Sequence, residues 1–344
     1  MSEATPIALV GAGVIGRRHL DAAAKTDRVA VTSIVDPSDQ AVALAQSLNL
    51  PHFDDMDQMF AATSPKGVLI ATPTEHHFAP TKQALTQGCH VLVEKPIMAT
   101  DAEAAEITAL SRAANREVLV GHHRRYYPQV EKARDLIQGG ALGKLVAISG
   151  QWTLRKPDDY YARAWRKKWQ AGPILTNLIH EMDYLRYICG EVSSIQAETS
   201  NAVQGYEKED VAALCLRFAS GALGAFVLSD QTDSPWTWEF ATGENPNFAN
   251  TGQNSIRFLG TEASLDFPNL CLWRSDGAPS WHHAKTQEAI TMDLGDAYVR
   301  QIEHFADVIE GRDVPRITAE DASATLRATL AVYEAAETGQ RVLL

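Results

Sequence analysis

Cysteine is scarce in this chain, and its four copies stand far apart. Cys89, Cys189, Cys215 and Cys271 form no C-x-x-C pair. That reads against a disulfide framework or a thiolate zinc site, and for reduced thiols in a cytoplasmic setting. Histidine is no better arranged for metal. His76–His77, His122–His123 and His282–His283 are adjacent pairs, and H-E-x-x-H is missing. Neighbours on a strand or helix do not converge on one ion, so no metal is expected. No apolar run approaches the ~18 residues needed to span a bilayer. The opening "MSEATPIALVGAG" has no basic n-region, so a signal peptide is not expected either. Positive charge is also short: 31 Lys and Arg face 43 Asp and Glu, a net charge of −12. Nucleic acid and anionic membrane are therefore poor partners. Internal repeats and low-complexity tracts are missing as well.

What is present is an ordinary globular composition, 45% hydrophobic and 22% charged, in 344 residues. That length carries two domains with separate cores. One basic run, "RAWRKKW" at 163–169, stands out against the acidic balance and fits a solvated surface or a site equally well. In the first third, "IALVGAG", "VAVTSIVD", "GVLIATP", "HVLVEKP" and "EVLVGHH" are short apolar runs closed by turn or polar residues. Such runs suit strands buried on both faces of a parallel sheet. Helix-period segments lie between them, at about 14–26, 38–48, 55–63, 76–88 and 101–115, the last opened by a capping box from Thr100 to Glu103. This alternation predicts an α/β fold with a doubly wound parallel sheet. Ligands of such sheets sit at the carboxyl ends of the strands. Here those ends are Gly11–Gly16, Asp36, "ATPTEHH", "EKP" and "GHHRRYYP".

Gly11-x-Gly13-x-x-Gly16 directly follows the first strand and opens a helix. Gly11 permits a tight turn, Gly13 lets the backbone approach a pyrophosphate, and Gly16 allows close helix–strand packing. Helix-start amides around Val14 and Ile15 would meet the phosphates. Asp36 follows Gly16 by 20 positions and ends the second strand, where a carboxylate accepts ribose hydroxyls and repels a 2′-phosphate. The same Asp36 also reads as a turn opener before Pro37. NAD is favoured as cofactor; Arg17 and Arg18 are near enough in sequence to keep NADP open.

With "GAGVIG", "ATPTEHH", "VLVEKP", "GHHRRYYP" and "GPILTNLIHEMDYLRYICG" in this order and spacing, the chain resembles the glucose–fructose oxidoreductase / inositol dehydrogenase / rhizopine-catabolism (Gfo/Idh/MocA) family. The matching pieces span residues 7 to 190. The resemblance implies an N-terminal Rossmann domain, taken as 1–123. It implies a substrate-binding and oligomerisation α/β domain with a large, mostly antiparallel sheet at 124–344, with a C-terminal helix packing back on the first domain. It further implies NAD(P)-dependent chemistry on sugars, cyclic polyols and related alcohols, in a homo-oligomer (dimer or tetramer). Lys95 matches the family's catalytic lysine and His180 its proton-transfer residue. Ala71, Thr72, Pro73 and His77 would line the ribose and nicotinamide side, joined in cofactor contact by Glu94 and Lys95 and by Trp165 and Arg166. His123, Arg124 and Asn177 would face the substrate with Lys95 and His180.

The residue chemistry fits those roles. An alcohol losing hydride also loses a proton, and imidazole accepts one near neutral pH. On an α-helix Thr176, Asn177 and Asp183 would share one side with His180. A fixed ammonium at Lys95 stabilises an alkoxide-like oxygen, and a cis bond at Pro96 would re-aim it. One departure is Thr176, where many members carry aspartate; a neutral partner leaves His180 less basic.

Further on, "LVAISGQWTL", "VSSIQAETS", "DVAALCLRFAS", "ALGAFVLSDQT", "SIRFLG" and "ASLDFPN" read as strands, with a hairpin turn at Ser220–Gly221. "DSPWTWEFATGENPNFANTGQNS" interrupts them and reads as a binding loop, in which Trp236 and Trp238 stack on a ring substrate or anchor the loop. The leading function is a dehydrogenase acting on a secondary hydroxyl of a sugar-like or cyclic polyol substrate. The alternatives are an NAD-dependent glycosidase of the same fold, a dehydrogenase of cyclic dihydrodiols and, last, a non-catalytic dinucleotide sensor.

Overall fold

The structure, a computed structural model, describes residues 4–344; Met1, Ser2 and Glu3, counted in the first domain above, lie outside the described residues. The chain begins β1 (Thr5–Val10), α1 (Val14–Ala23), β2 (Val29–Val35), α2 (Asp39–Leu48), β3 (His52–Phe53), α3 (Met56–Ala62) and β4 (Gly67–Ile70). It continues α4 (Phe78–Thr86), β5 (His90–Val93), α5 (Asp101–Ala114), β6 (Val118–Val120), α6 (Pro128–Gln138), β7 (Leu145–Arg155) and α7 (Ile179–Cys189). Then come β8 (Val192–Ser200), β9 (Val211–Phe218), β10 (Leu223–Ser229), β11 (Gln231–Trp236), α8 (Trp238–Thr242), β12 (Ile256–Gly260) and β13 (Ala263–Phe267). The last elements are β14 (Cys271–Ser275), β15 (Lys285–Ala289), α9 (Ala297–Ile309), α10 (Ala319–Thr338) and β16 (Val342–Leu343). Among the described residues no helix is long and apolar enough to cross a membrane.

Contacts divide the described chain into two compact units, 4–126 with Asp296–Leu326, and Tyr127–Gly295 with Arg327–Leu344. The sequence reading cut the chain after residue 123 with a C-terminal helix packing back on the first domain; by contacts α9 belongs to the first unit. Ile302, Phe305, Ala306 and Val308 of α9 are buried in one core with Leu9, Leu69 and Leu92. Gly67 makes room for that helix, since a Cβ there would lie 2.6 Å from Ile309 Cδ1.

The first unit holds a six-stranded parallel sheet in the order β3-β2-β1-β4-β5-β6. That order reverses between β1 and β4, the switch point where ligands of such sheets bind. Register makes the edge regular. Val10 pairs with Val35 and Ile70, Ile70 with Val93, and Val93 with Val120. The next residues, Gly11, Asp36, Ala71, Glu94 and Gly121, therefore come out side by side. Helix starts follow the expected chemistry: Ser38, Asp55 and Thr100 cap α2, α3 and α5, the last with a full capping box to Glu103.

The second unit is built on a ten-stranded sheet, ordered β15-β14-β13-β12-β7-β10-β9-β8-β16 with β11 on β7. Only β7 and β10 run parallel among its pairs. Burial alternates along β9 and β10, so one face carries Leu214, Leu216, Phe226 and Leu228 into the core. The segment expected to be a binding loop is partly regular, comprising β11 and α8. Trp238 anchors it, 1% exposed and packed on Tyr127, Tyr184 and Phe267.

Candidate active site

In the first unit the glycine turn has the shape its spacing predicts. Gly11 takes φ +89°, and a Cβ on it would lie 2.8 Å from the Ala71 carbonyl and Thr72 nitrogen. A Cβ on Gly16 would lie 2.0 Å from Gly11 O. Gly16→Ala is therefore expected to destabilise the unit by about 3 kcal/mol through backbone overpacking, measured by thermal denaturation without cofactor. A Tm equal to wild type would contradict that geometry. Gly13, by contrast, faces open space within 4 Å. Val14 is 85% exposed, and α1 has no side-chain N-cap. The first-turn amides of Val14, Ile15 and Gly16 thus have no helical acceptor, and they form an anion cradle with room above it. This is the feature that fits a dinucleotide pyrophosphate.

Asp36 stands beside that cradle. Its Oδ2 accepts Ala12 N–H at 2.8 Å and its Oδ1 accepts Ser38 N–H at 2.9 Å. Partial burial raises its pKa, but these hydrogen bonds outweigh burial and hold the carboxyl below the ordinary aspartate value. A carboxylate has about four acceptor sites, so capacity remains for a ribose hydroxyl.

The β4 end is tied to the β5 end by His77. This histidine is 1% exposed. Its Nε2 meets Thr72 O at 2.9 Å and its Nδ1 meets Pro96 O at 2.9 Å. Burial pushes its pKa below the ordinary value, against the pull of those carbonyls and of Glu94. Ala71 and Thr72 are half-buried and Pro73 exposed, while His77 spends its ring on the main chain.

Lys95 is half-buried, and the Lys95–Pro96 peptide bond is cis. Glu94 lies inward: its Oε1 meets His19 Nε2 at 2.8 Å and its Oε2 accepts the Lys95 N–H at 3.1 Å. Burial raises the Glu94 pKa, but the His19 hydrogen bond and the His123 and Lys95 side chains hold the carboxyl below the ordinary glutamate value. After β6, His123 is buried and stacks on Tyr298 with ring centroids 4.5 Å apart. Arg124 is buried beside it in the chain, 2% exposed.

In the second unit His180 occupies the first turn of α7 and is 9% exposed. The preceding turn, Ile174–Leu178, is a π-helix. Thr176 and Asn177 therefore do not follow the α-helical spacing assumed from the sequence. Glu209 shapes the start of this segment: its Oε1 accepts Ile174 N–H at 2.8 Å and it accepts the Tyr333 hydroxyl. Gly172 leaves room for it, since a Cβ there would lie 2.2 Å from Glu209 Oε2.

Lys156 was not singled out from the sequence. Its Nζ lies 3.3 Å from Asn177 Oδ1 and 3.4 Å from Asp230 Oδ2. Burial pushes its pKa below the ordinary lysine value, against the pull of Asp230. Behind it, Asp230 accepts from Lys208, Tyr161 and Gln231. Because Lys156 can only donate, Asn177 must present its oxygen to it. The signal was a second Lys-Pro step closing a strand, Lys156–Pro157, matching Lys95–Pro96. Arg166 donates to Tyr160 O and lies over the Tyr160 ring at 4.0 Å, whereas Trp165 and Trp236 are exposed.

Comparison with known proteins agrees with both units. A family profile described as "Oxidoreductase family, NAD-binding Rossmann fold" matches residues 6–122, and the "GFO/IDH/MocA C-terminal domain" matches residues 130–266. The chain is 26% identical to the rhizopine catabolism protein MocA of Rhizobium meliloti, over 95% of this chain and 94% of that protein. It is 27% identical to the 1,5-anhydro-D-fructose reductase of Ensifer adhaerens, over 96% of each. In fold it matches the WlbA dehydrogenase of Bordetella pertussis, solved with NADH and UDP-GlcNAcA, at a TM-score of 0.79, 21% identity and 99% coverage of both chains. With an NAD-binding Rossmann unit, a sheet-based second unit and both profiles matched, the chain belongs to the Gfo/Idh/MocA family of NAD(P)-dependent sugar and polyol oxidoreductases.

Proposed function

We propose that the protein interconverts a secondary hydroxyl and a ketone on a sugar-like or cyclic polyol substrate, with NAD as the preferred cofactor. The observation that carries this reading is the in-register strand edge, which sets Glu94, the residue before Lys95, in line with the glycine turn and Asp36. The bound nicotinamide supplies or takes up the hydride. Lys95 holds a positive charge at the reacting oxygen, stabilising it as it becomes alkoxide-like. His180 takes the hydroxyl proton in oxidation and returns it in reduction. Asn177, with its amide oxygen turned to Lys156, donates to an oxygen of the substrate. Relatives such as the 1,5-anhydro-D-fructose reductase support a carbohydrate-like substrate.

The test is a screen of polyols, aldoses, anhydrosugars and cyclic dihydrodiols for NADH formation. Turnover of a polyol or sugar supports the proposal. Dihydrodiol turnover alone, or glycoside cleavage without net NADH, would replace it. The cofactor preference has its own test. Asp36→Ser is expected to weaken NADH binding about tenfold relative to NADPH, the loss of one charge-assisted hydrogen bond. Fluorescence titration that finds NADPH already the tighter ligand of the wild type would overturn the role given to Asp36.

Assembly as a dimer or tetramer is part of the same proposal. It is supported by the open face of the second unit's sheet, where Val146, Leu223 and Val227 are exposed.

A further inference from the structure

We infer that His19 and Glu94 form a buried positioning pair behind Lys95, fixing its backbone and keeping a negative charge at its base. The inference rests on the reading that Lys95 acts at the substrate oxygen. His19 lies three residues after Gly16 in α1 and is 1% exposed; Glu94, at the end of β5, is 7% exposed. The carboxylate divides its oxygens, Oε1 to His19 Nε2 at 2.8 Å and Oε2 to the Lys95 N–H at 3.1 Å. One side chain thus ties the helix of the glycine turn to the peptide that carries the lysine.

The surroundings are built for a carboxylate. A Cβ on Gly121 would lie 2.8 Å from Glu94 Cδ and Oε1, so the β6 end is cut back to hold it. His19 Nδ1 is buried with no hydrogen-bond partner among the described residues. With its one proton on Nε2, the ring donates to Glu94 and leaves no buried N–H unpaired. The ring sits edge-on to Tyr298, centroids 5.2 Å apart, and Tyr298 in turn stacks on His123. Its orientation is set from two sides.

A buried carboxylate is costly unless charges and donors meet it. Those facing Glu94 are His19 from α1, Lys95 next to it and His123 after β6, with His77 of the β4–α4 loop sensing it. Packing alone would be served by a neutral side chain of the same shape. The ionised group instead favours the Lys95 ammonium, as an opposite charge close by does. Glu94 and His19 are positioning residues, acting through Lys95.

The pair can be tested without a substrate. Acetylation of Lys95 by acetic anhydride, followed against pH by peptide mass spectrometry on the full chain, reports the pH at which the amine becomes nucleophilic. Glu94→Gln keeps the shape and removes the charge. It is expected to lower the half-labelling pH by about one unit. His19→Leu is expected to move it the same way, and His19→Gln, which retains a donor for the carboxylate, to restore the wild-type value. Wild-type labelling in Glu94→Gln overturns the inference, as does a His19→Gln variant that labels like His19→Leu. Should His19→Leu fail to fold, Glu94→Gln decides alone. Lys95→Met separates the two levels. If it keeps full turnover on the substrate found by the screen, the catalytic reading fails whatever the labelling shows. An inactive Lys95→Met with unshifted labelling overturns the pair alone.

Discussion

Lys95→Met is expected to bind NADH as the wild type does and to turn over about 10³-fold more slowly, the loss typical of removing one group aimed at a developing negative oxygen. Methionine keeps the unbranched apolar stem and removes only the charge, so the half-buried position stays filled. The Lys95 N–H remains available to Glu94 Oε2, at 3.1 Å, and the glycine turn is untouched. Any loss therefore lies in the transition state and appears in kcat, with little change in the affinity for NADH. Steady-state kinetics beside fluorescence titration make the separation. Comparable turnover in wild type and variant would sink the assignment. Loss of NADH binding in step with activity would make Lys95 a cofactor contact instead.

His180→Asn is expected to lower kcat/KM by about 10²–10⁴-fold, the usual worth of a positioned acid or base. Asparagine preserves polarity in the 9%-exposed first turn of α7 but cannot accept the hydroxyl proton. Oxidation should then depend on solvent base and rise steadily with pH, where the wild type levels off. A variant that keeps the wild-type pH profile would move the proton to another group. Thr176 donates to Gly172 O at 2.9 Å and Asn177 faces Lys156.

Much of the fold was legible because it is written locally. The five apolar runs ending in Gly11, Asp36, Ala71, Glu94 and Gly121 are strands buried on both faces, and helix period with capping residues placed α1 to α5 to within a few residues. In the second unit the alternating strands β7 to β10, β12 and β13 were readable for the same reason. Strands β14 and β15 were not. Every residue from Lys285 to Ala289 is exposed, so an edge strand of Lys, Thr, Gln, Glu and Ala carries no alternation to detect. The π-turn before His180 was also hidden: the Ile174 N–H at its start is held by the Glu209 carboxylate, 35 residues away in the chain.

The sequence by itself determined the dinucleotide turn, the acidic residue at the second strand end, the parallel order of chemistry along one sheet edge and the family. These depend on spacings of a few residues and on strand periodicity, which backbone sterics and burial impose directly. Only the tertiary structure decided which polar groups face which. It turned Glu94 inward to His19, 75 residues away, spent His77 on two main-chain carbonyls, set Lys156 against Asn177 and brought α9 onto the first unit's core. Such pairings are selected by the cost of leaving a buried charge or donor unmet. That cost depends on what the whole chain brings to the spot, and no short stretch of sequence records it.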